Sequence, residues 1–339
     1  MSKETTMTHP RTAPTDRPAR IAVLDDYMAA AEGLADWSRL HDRAQVTFLT
    51  EPLRDSAHAI AALQPYDAIC LLRERTPFPA EVLRALPNLR AIAATGKRNR
   101  TLDDATARDL GIVVMSTTGS GNGVYATAEL AWGLIIALMR QIPAESAAMR
   151  DGAWQTRLGH ALYGRTLGLV GLGKLGSQMA GVARAFGMKV IAWSPNLTSE
   201  RAAAGGAEYA DKETLLRESD VVSLHLVLGD STRGIIGAQD LALMQRHAIL
   251  INTARGPLVD EPALIAALEG GTIAAAGLDV FEPEPLPADH PLRRLPNALL
   301  TPHLGYTVRE TLENFYGQTV ENLDAWLNGA PIRLYGQEG

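Results

Sequence analysis

Cysteine is almost absent: Cys70 is the one thiol in 339 residues. That excludes an intrachain disulfide and any Cys-rich zinc site, and no metal is expected. Its neighbours Ala68, Ile69, Leu71 and Leu72 are apolar, so Cys70 reads as a small buried hydrophobe. Long hydrophobic runs are lacking too. The longest apolar stretch, residues 126–139, carries Glu129 and falls short of the roughly 20 residues that a membrane span needs. Nor is there an excess of positive charge: 32 Lys and Arg stand against 38 Asp and Glu, a net charge of −6. This balance argues against a general binder of nucleic acid or anionic membrane. Residues 1–19 are rich in Thr, Pro and charge and contain no apolar stretch. They read as a disordered tail, not a secretory signal, and the cytoplasm is the expected location.

What is present is ample core-forming material, 46% hydrophobic against 21% charged residues. Apolar-rich runs at residues 21–24, 45–49, 67–72 and 89–94 read as buried strands. Helix-forming stretches at 29–34, 56–63 and 79–86 alternate with them. Such alternation predicts a parallel sheet covered on both faces. An Ala-rich segment, residues 124–142, is apolar on nearly every side and predicts one long helix buried between domains or subunits. Alternation then restarts, with strands expected at 166–170, 189–193, 220–226, 248–252, 274–278 and 298–300, and a last helix over 308–327. The chain therefore holds two α/β units.

Residues 166–170 run directly into Gly171-Leu172-Gly173-Lys174-Leu175-Gly176, and a helix-forming run follows. A bare G-x-G-x-x-G is weak evidence, but this one ends a strand and opens a helix, the context that a dinucleotide loop requires. Gly171 suits the tight turn, Gly173 the close approach of a pyrophosphate, and Gly176 the close packing of helix on strand. The helix start supplies N–H donors and positive potential to the phosphates. One expected element is missing. The next strand ends at Ser194-Pro195-Asn196, where an Asp or Glu would normally bind the adenosine ribose. Without that carboxylate nothing repels a 2′-phosphate, and Ser194, Asn196 and Arg201 can donate to one. The cofactor is therefore NAD or NADP, with NADP or dual use favoured.

Three further motifs each follow an expected strand. Thr253-Ala254-Arg255-Gly256 places a planar guanidinium fork, suited to a carboxylate, at a strand end. Asp279 to Pro285 is an acidic, proline-rich loop containing Glu282 and Glu284. Thr301-Pro302-His303-Leu304-Gly305 adds a histidine. Taken singly, each residue is an ordinary surface charge or structural histidine; downstream of a dinucleotide loop, together they ask for hydride transfer.

These four ordered motifs resemble the D-isomer-specific 2-hydroxyacid dehydrogenase family, over most of the chain from Arg20 and most densely over residues 167–305. The resemblance implies a Rossmann cofactor domain over 119–305 and a flavodoxin-like substrate domain from 20–118 with 306–339, both doubly wound parallel-sheet α/β domains, with the active site in the cleft between them. It implies that Arg255 binds the substrate carboxylate, that His303 is the acid–base, and that Glu284 rather than Glu282 supports it. Asp279 would hold the nicotinamide amide, and Thr253, Ala254 and Gly305 would join the glycine loop and Ser194 in the cofactor set. Gly96, Ser120, Gly121 and Asn122 would line the substrate with Arg255. The substrate would be a small 2-oxo or 2-hydroxy acid, and the assembly a homodimer using part of the segment 124–142. Two other readings stand beside this one: a non-catalytic NAD(H)-sensing scaffold, and a formate- or phosphite-type dehydrogenase. The loop after the fourth strand departs from the family pattern. It carries Lys97, Arg98 and Arg100, with Arg73 and Arg75 ending the preceding strand, and this points either to a second anionic group on the substrate or to a solvated loop bordering the cleft.

Overall fold

In a computed structural model of the chain, residues 10–119 and 121–336 are described. They form two compact units, one running to Val124 and resuming at Val308, the other spanning Tyr125–Thr307.

The first unit opens with β1 (Ala19–Val23), β2 (Ala44–Phe48), α1 (Ser56–Leu63) and β3 (Ala68–Leu71). α2 (Ala80–Arg84), β4 (Ala91–Ala94), α3 (Asp104–Asp109) and β5 (Val113–Ser116) follow. The strands pair in parallel in the order β2-β1-β3-β4-β5, the flavodoxin-like arrangement. β3 and β4 are buried at every position, as strands covered on both faces must be. Where residues 29–34 predict a helix, there are two short 3₁₀ turns, Ala31–Leu34 and Trp37–Leu40. Asp26 accepts from the N–H groups of Ala30 and Ala31 there, which holds the chain in a turn.

Residues 10–18 correct the expectation of a disordered tail. Arg11 donates to the carbonyls of Pro87 (3.1 Å) and Leu89 (2.7 Å). Arg17 grips both oxygens of Asp67, at 2.7 and 2.8 Å. The Asp67 side chain is buried, and a buried carboxylate demands a counter-charge, so the pair anchors this segment.

The second unit begins with α4 (Ala126–Met139) and α5 (Ile142–Arg150). The single long helix expected over 124–142 is therefore broken. Gln141 takes a left-handed φ of 56°, and Pro143 sits in the first turn of α5, where proline is tolerated. With the 3₁₀ turn before it, Gly121–Met139 is long and apolar enough to cross a membrane, contrary to the expectation that no segment is. In this fold α4 is a core helix: Ala131, Leu134 and Ile135 pack in one hydrophobic cluster with Leu167, Ile251 and Ala275.

There follow β6 (Thr166–Val170), α6 (Lys174–Ala185), β7 (Lys189–Trp193), α7 (Ser199–Ala204), β8 (Glu208–Tyr209), α8 (Lys212–Glu218) and β9 (Val221–Leu224). α9 (Ala238–Leu243), β10 (Ile249–Asn252), α10 (Glu261–Glu269), β11 (Ala275–Leu278) and β12 (Ala298–Leu300) complete it. All seven strands are parallel, in the order β12-β11-β10-β9-β6-β7-β8. This is a Rossmann sheet whose order reverses between β6 and β9. One apolar cluster covers each face. The last helix, α11 (Arg309–Leu327), belongs to the first unit, where Trp326 and Leu323 are buried and Asp324 pairs with Arg39 and Arg43.

Candidate active site

β10, β11 and β12 lie side by side in the second unit, so the loops leaving their carboxyl ends are neighbours. The first carries Arg255, the second Asp279 and Glu284, the third His303. Glu284 Oε2 lies 2.6 Å from His303 Nδ1, and Glu284 Oε1 accepts from the Phe281 N–H at 2.9 Å. The carboxylate is thus held by its own loop and presented to the imidazole. Glu282 is engaged elsewhere, in an exposed pair with Arg233 at 2.8 Å.

His303 adopts φ 54°, a conformation unfavourable for a residue with a side chain. What holds it there is Asp279. The His303 N–H donates to the Asp279 carbonyl at 2.9 Å. The fully buried Asp279 carboxylate accepts from Thr301 Oγ1 (2.6 Å), the Leu304 N–H (2.7 Å) and the Gly305 N–H (2.8 Å). Burial pushes the Asp279 carboxyl above its ordinary value, and these donors with the nearby His303 charge oppose that shift. The side chain expected to hold a nicotinamide amide therefore braces the histidine loop. Gly305 completes the packing, since a Cβ there would lie 3.1 Å from Thr127 and 3.3 Å from Asp279.

The Arg255 loop is pinned by Asn252. This buried amide donates to the Arg255 carbonyl (2.9 Å) and accepts from the Ala254 N–H (3.1 Å). Arg255 Nη1 donates to the Ala254 carbonyl at 2.7 Å, which fixes one terminal nitrogen of the guanidinium. Beside it Thr253 is buried, and its hydroxyl has no hydrogen-bond partner.

The glycine loop sits at the sheet reversal. Gly171 follows β6 at φ 104°, and a Cβ there would strike the His225 backbone, just past β9, at 2.8 Å. Gly176 lets α6 close on the loop: a Cβ would come within 2.4 Å of the Gly171 carbonyl. Around Gly173, at the start of α6, no atom lies within 4 Å of a Cβ position, so backbone is open to an incoming group. Lys174 is exposed and Leu175 half-buried at the first turn. An open helix start at the switch point, with an orphaned buried hydroxyl at Thr253, fits a dinucleotide.

Comparison with known proteins agrees. Residues 132–305 match the family model of the D-isomer specific 2-hydroxyacid dehydrogenase NAD-binding domain. A glyoxylate reductase of Aeropyrum pernix is 41% identical over 268 residues, covering 76% of this chain and 79% of that protein. The chain belongs to the D-isomer-specific 2-hydroxyacid dehydrogenase family. A D-3-phosphoglycerate dehydrogenase of Archaeoglobus fulgidus is 37% identical over 276 residues, which span 81% of this chain and 52% of that protein. The solved structure of a phosphoglycerate oxidoreductase from Vibrio cholerae superposes with a TM-score of 0.85 at 36% identity, covering 92% of this chain and all of that one.

As a member of this family the chain takes a nicotinamide cofactor and acts on the CH–OH group of a hydroxy acid. Ser194 directly follows β7 and is half-buried, and Arg201 donates to the Asn196 carbonyl at 2.8 Å, folding back onto the loop that Ser194 begins. Gly96, Gly121 and Asn122 lie in the first unit, and Ser120 lies outside the described residues. The Gly96 N–H already donates to Thr117 Oγ1 at 2.8 Å. Sequence reasoning missed His225 and Asn252. No local signal marks His225; Asn252 could have been flagged as a polar residue closing an apolar strand.

Proposed function

We propose that this chain is a cytoplasmic, homodimeric reductase of small 2-oxo acids that forms the D-2-hydroxy acid. The observation that carries the reading is the 2.6 Å pairing of Glu284 with His303 beside the Arg255 loop. When bound, a reduced nicotinamide supplies hydride to the substrate's carbonyl carbon. Arg255 takes the substrate carboxylate with its planar fork and offsets charge growing on the carbonyl oxygen. His303 donates the proton from Nε2 to that oxygen, while Glu284 on Nδ1 orients the ring and balances the imidazolium. In the reverse direction the neutral ring takes the proton back. Asp279 keeps His303 in its unfavourable backbone conformation.

NADPH is the preferred donor in this reading. Ser194 stands where a carboxylate would repel the 2′-phosphate, and Arg201 is held against the same loop. The net charge of −6 supports a small-molecule partner over nucleic acid or membrane.

The test is the loss of reduced-nicotinamide absorbance with purified protein. NADH and NADPH are run in parallel against glyoxylate, hydroxypyruvate and pyruvate. Turnover is expected with at least one acid, faster with NADPH. Turnover with none, despite cofactor binding, would overturn the reductase reading; a preference for NADH would overturn the cofactor assignment alone.

A further inference from the structure

Within the second unit, the loop that carries Arg255 and the loop that carries Glu284 meet where Gly256 lies against Phe281. The 3₁₀ turn Gly256–Leu258 follows Arg255 directly. A Cβ on Gly256 would stand 2.5 Å from the Phe281 carbonyl carbon and 2.8 Å from its Cα and its oxygen. Non-bonded carbons pack at about 3.5–4.0 Å, so only a residue without a side chain lets these two backbones close. Gly256 has no left-handed φ, and space alone demands glycine here.

Both sides of the contact are tied to working groups. On one side, the Arg255 carbonyl accepts from Asn252 Nδ2 at 2.9 Å and from the Leu258 N–H at 3.2 Å. On the other, the Phe281 N–H donates to Glu284 Oε1 at 2.9 Å, and Glu284 Oε2 meets His303 Nδ1 at 2.6 Å. The path from Arg255 to His303 therefore crosses one backbone contact and the hydrogen bonds of one carboxylate.

The loop between β9 and α9 holds both partners and supplies no group to the chemistry. The Gly234 N–H donates to the Pro257 carbonyl at 2.8 Å and the Ile236 N–H to the Leu258 carbonyl at 3.1 Å. The Asp260 N–H returns a bond to the Ile236 carbonyl at 2.9 Å, and Ile236 and Leu258 are buried. From the same loop, Arg233 reaches the residue after Phe281: its Nη1 lies 2.8 Å from Glu282 Oε2 and its Nη2 3.4 Å from Oε1. A cavity of about 350 Å³ opens beside the contact, with Arg233, Gly234, Gly256, Pro257 and Glu282 in its wall. Empty space rather than packed side chains borders the acidic loop there, which leaves the Arg233 pair to hold it.

We infer that Gly256 and Arg233 are positioning residues for the Glu284–His303 pair: the Gly256–Phe281 contact sets how close the acidic loop stands to the Arg255 loop, and Arg233 keeps it there through Glu282. This rests on the reductase reading, in which Glu284 serves His303, and the experiment separates the two.

Gly256→Ala must part the contact by about 1 Å. A misplacement of that size far from the chemistry can cost about a hundredfold, so kcat should fall about tenfold or more with the 2-oxo acid that the natural chain reduces best. A double-mutant cycle assigns the effect. In a Glu284→Ala background Gly256→Ala should lose most of its cost, because the group that it misplaces is gone. Equal cost in both backgrounds would overturn the role of Gly256 and leave the reductase standing. Arg233→Gln removes an exposed ion pair, which keeps the fold, and should lower kcat about two- to fivefold with KM little changed. The swap Arg233→Glu with Glu282→Arg should recover most of that loss. An unchanged kcat in Arg233→Gln, or no recovery in the swap, would overturn the role of Arg233. If Gly256→Ala does not fold, the Arg233 variants and the same cycle with Glu284→Ala decide. If no acid is reduced, NMR of ring-¹⁵N histidine in the full chain decides instead. The His303 ring signals, assigned by their loss in His303→Gln, should move in Glu284→Ala. Gly256→Ala and Arg233→Gln should move them in the same direction, which sustains the positioning role without the reductase. His303 signals unmoved by both would overturn it.

Discussion

At the scale of single residues, His303 and Glu284 form a unit in which each side chain has a distinct job. His303→Ala removes the proposed proton donor and should lower kcat by about 10²–10⁴-fold while cofactor binding, followed by fluorescence, is retained. Arg255→Ala should raise KM and lower kcat together, because in the proposed mechanism the fork serves both bound substrate and transition state. Asp279→Asn would replace an acceptor of three donors by a group that itself donates, so one of the Leu304 and Gly305 N–H groups loses its partner. The cost is about 1–3 kcal/mol for a buried donor, seen as a fall in kcat as His303 leaves its strained conformation. His225 makes a pH prediction. Its Nε2 meets Ser223 Oγ at 2.9 Å, its Nδ1 has no partner, and burial lowers its pKa to about 4. As pH falls from the ordinary histidine range near 6.5, the unfolded chain takes up the proton before the folded one. Stability is therefore lost on acidification between about 6.5 and 4. Thermal melting of His225→Gln should show a shallower loss of Tm from pH 6.5 to 5 than the natural chain.

At the scale of elements, Gly171 and Gly176 tie the loop to its surroundings by contacts that leave no space for a methyl group. Gly176→Ala would push its Cβ against the Gly171 carbonyl and force the helix start away from the loop. Overpacking of this kind costs about 1–3 kcal/mol, and calorimetry should show cofactor affinity falling by about tenfold or more. Most strands and the turn from β6 into α6 could be read from the chain, because a fully buried parallel strand is a short apolar run and the loop needs its glycines in order. β8 could not: it is a two-residue exposed edge strand, Glu208–Tyr209, with no apolar signature. β5 is short and half its residues are only partly buried. The break between α4 and α5 escaped because the composition of residues 124–142 suits helix throughout, whereas the left-handed Gln141 is a backbone choice.

At the scale of the whole molecule, the segment after α4 exposes apolar side chains that a solitary protein would normally cover. Trp154 is 74% exposed, Leu158 95% and Tyr163 83%, with Ile142 and Met149 also exposed. Exposed apolar groups concentrated on one segment mark an association surface. Light scattering should give the mass of a dimer, and the double substitution Trp154→Glu with Leu158→Glu should give monomers.

The chain order alone specified what neighbouring residues decide: an alternating α/β architecture, a dinucleotide loop, and Arg255, the acidic loop of Glu282 and Glu284, and His303 as chemistry at strand ends. These follow from local periodicity and from motifs whose parts are adjacent. Tertiary structure supplied the physical ground for the choice that the family resemblance made between the two carboxylates: Glu282 reaches Arg233 and Glu284 reaches His303. It also turned Asp279 into a brace and Gly256 into the meeting point of two loops, and it ordered residues 10–18 around the buried charge of Asp67. Each of these depends on hydrogen bonds or contacts between residues brought together by the fold, as when Tyr335 grips Asn99 from 236 residues away. No local pattern encodes such a meeting; only the packed chain does.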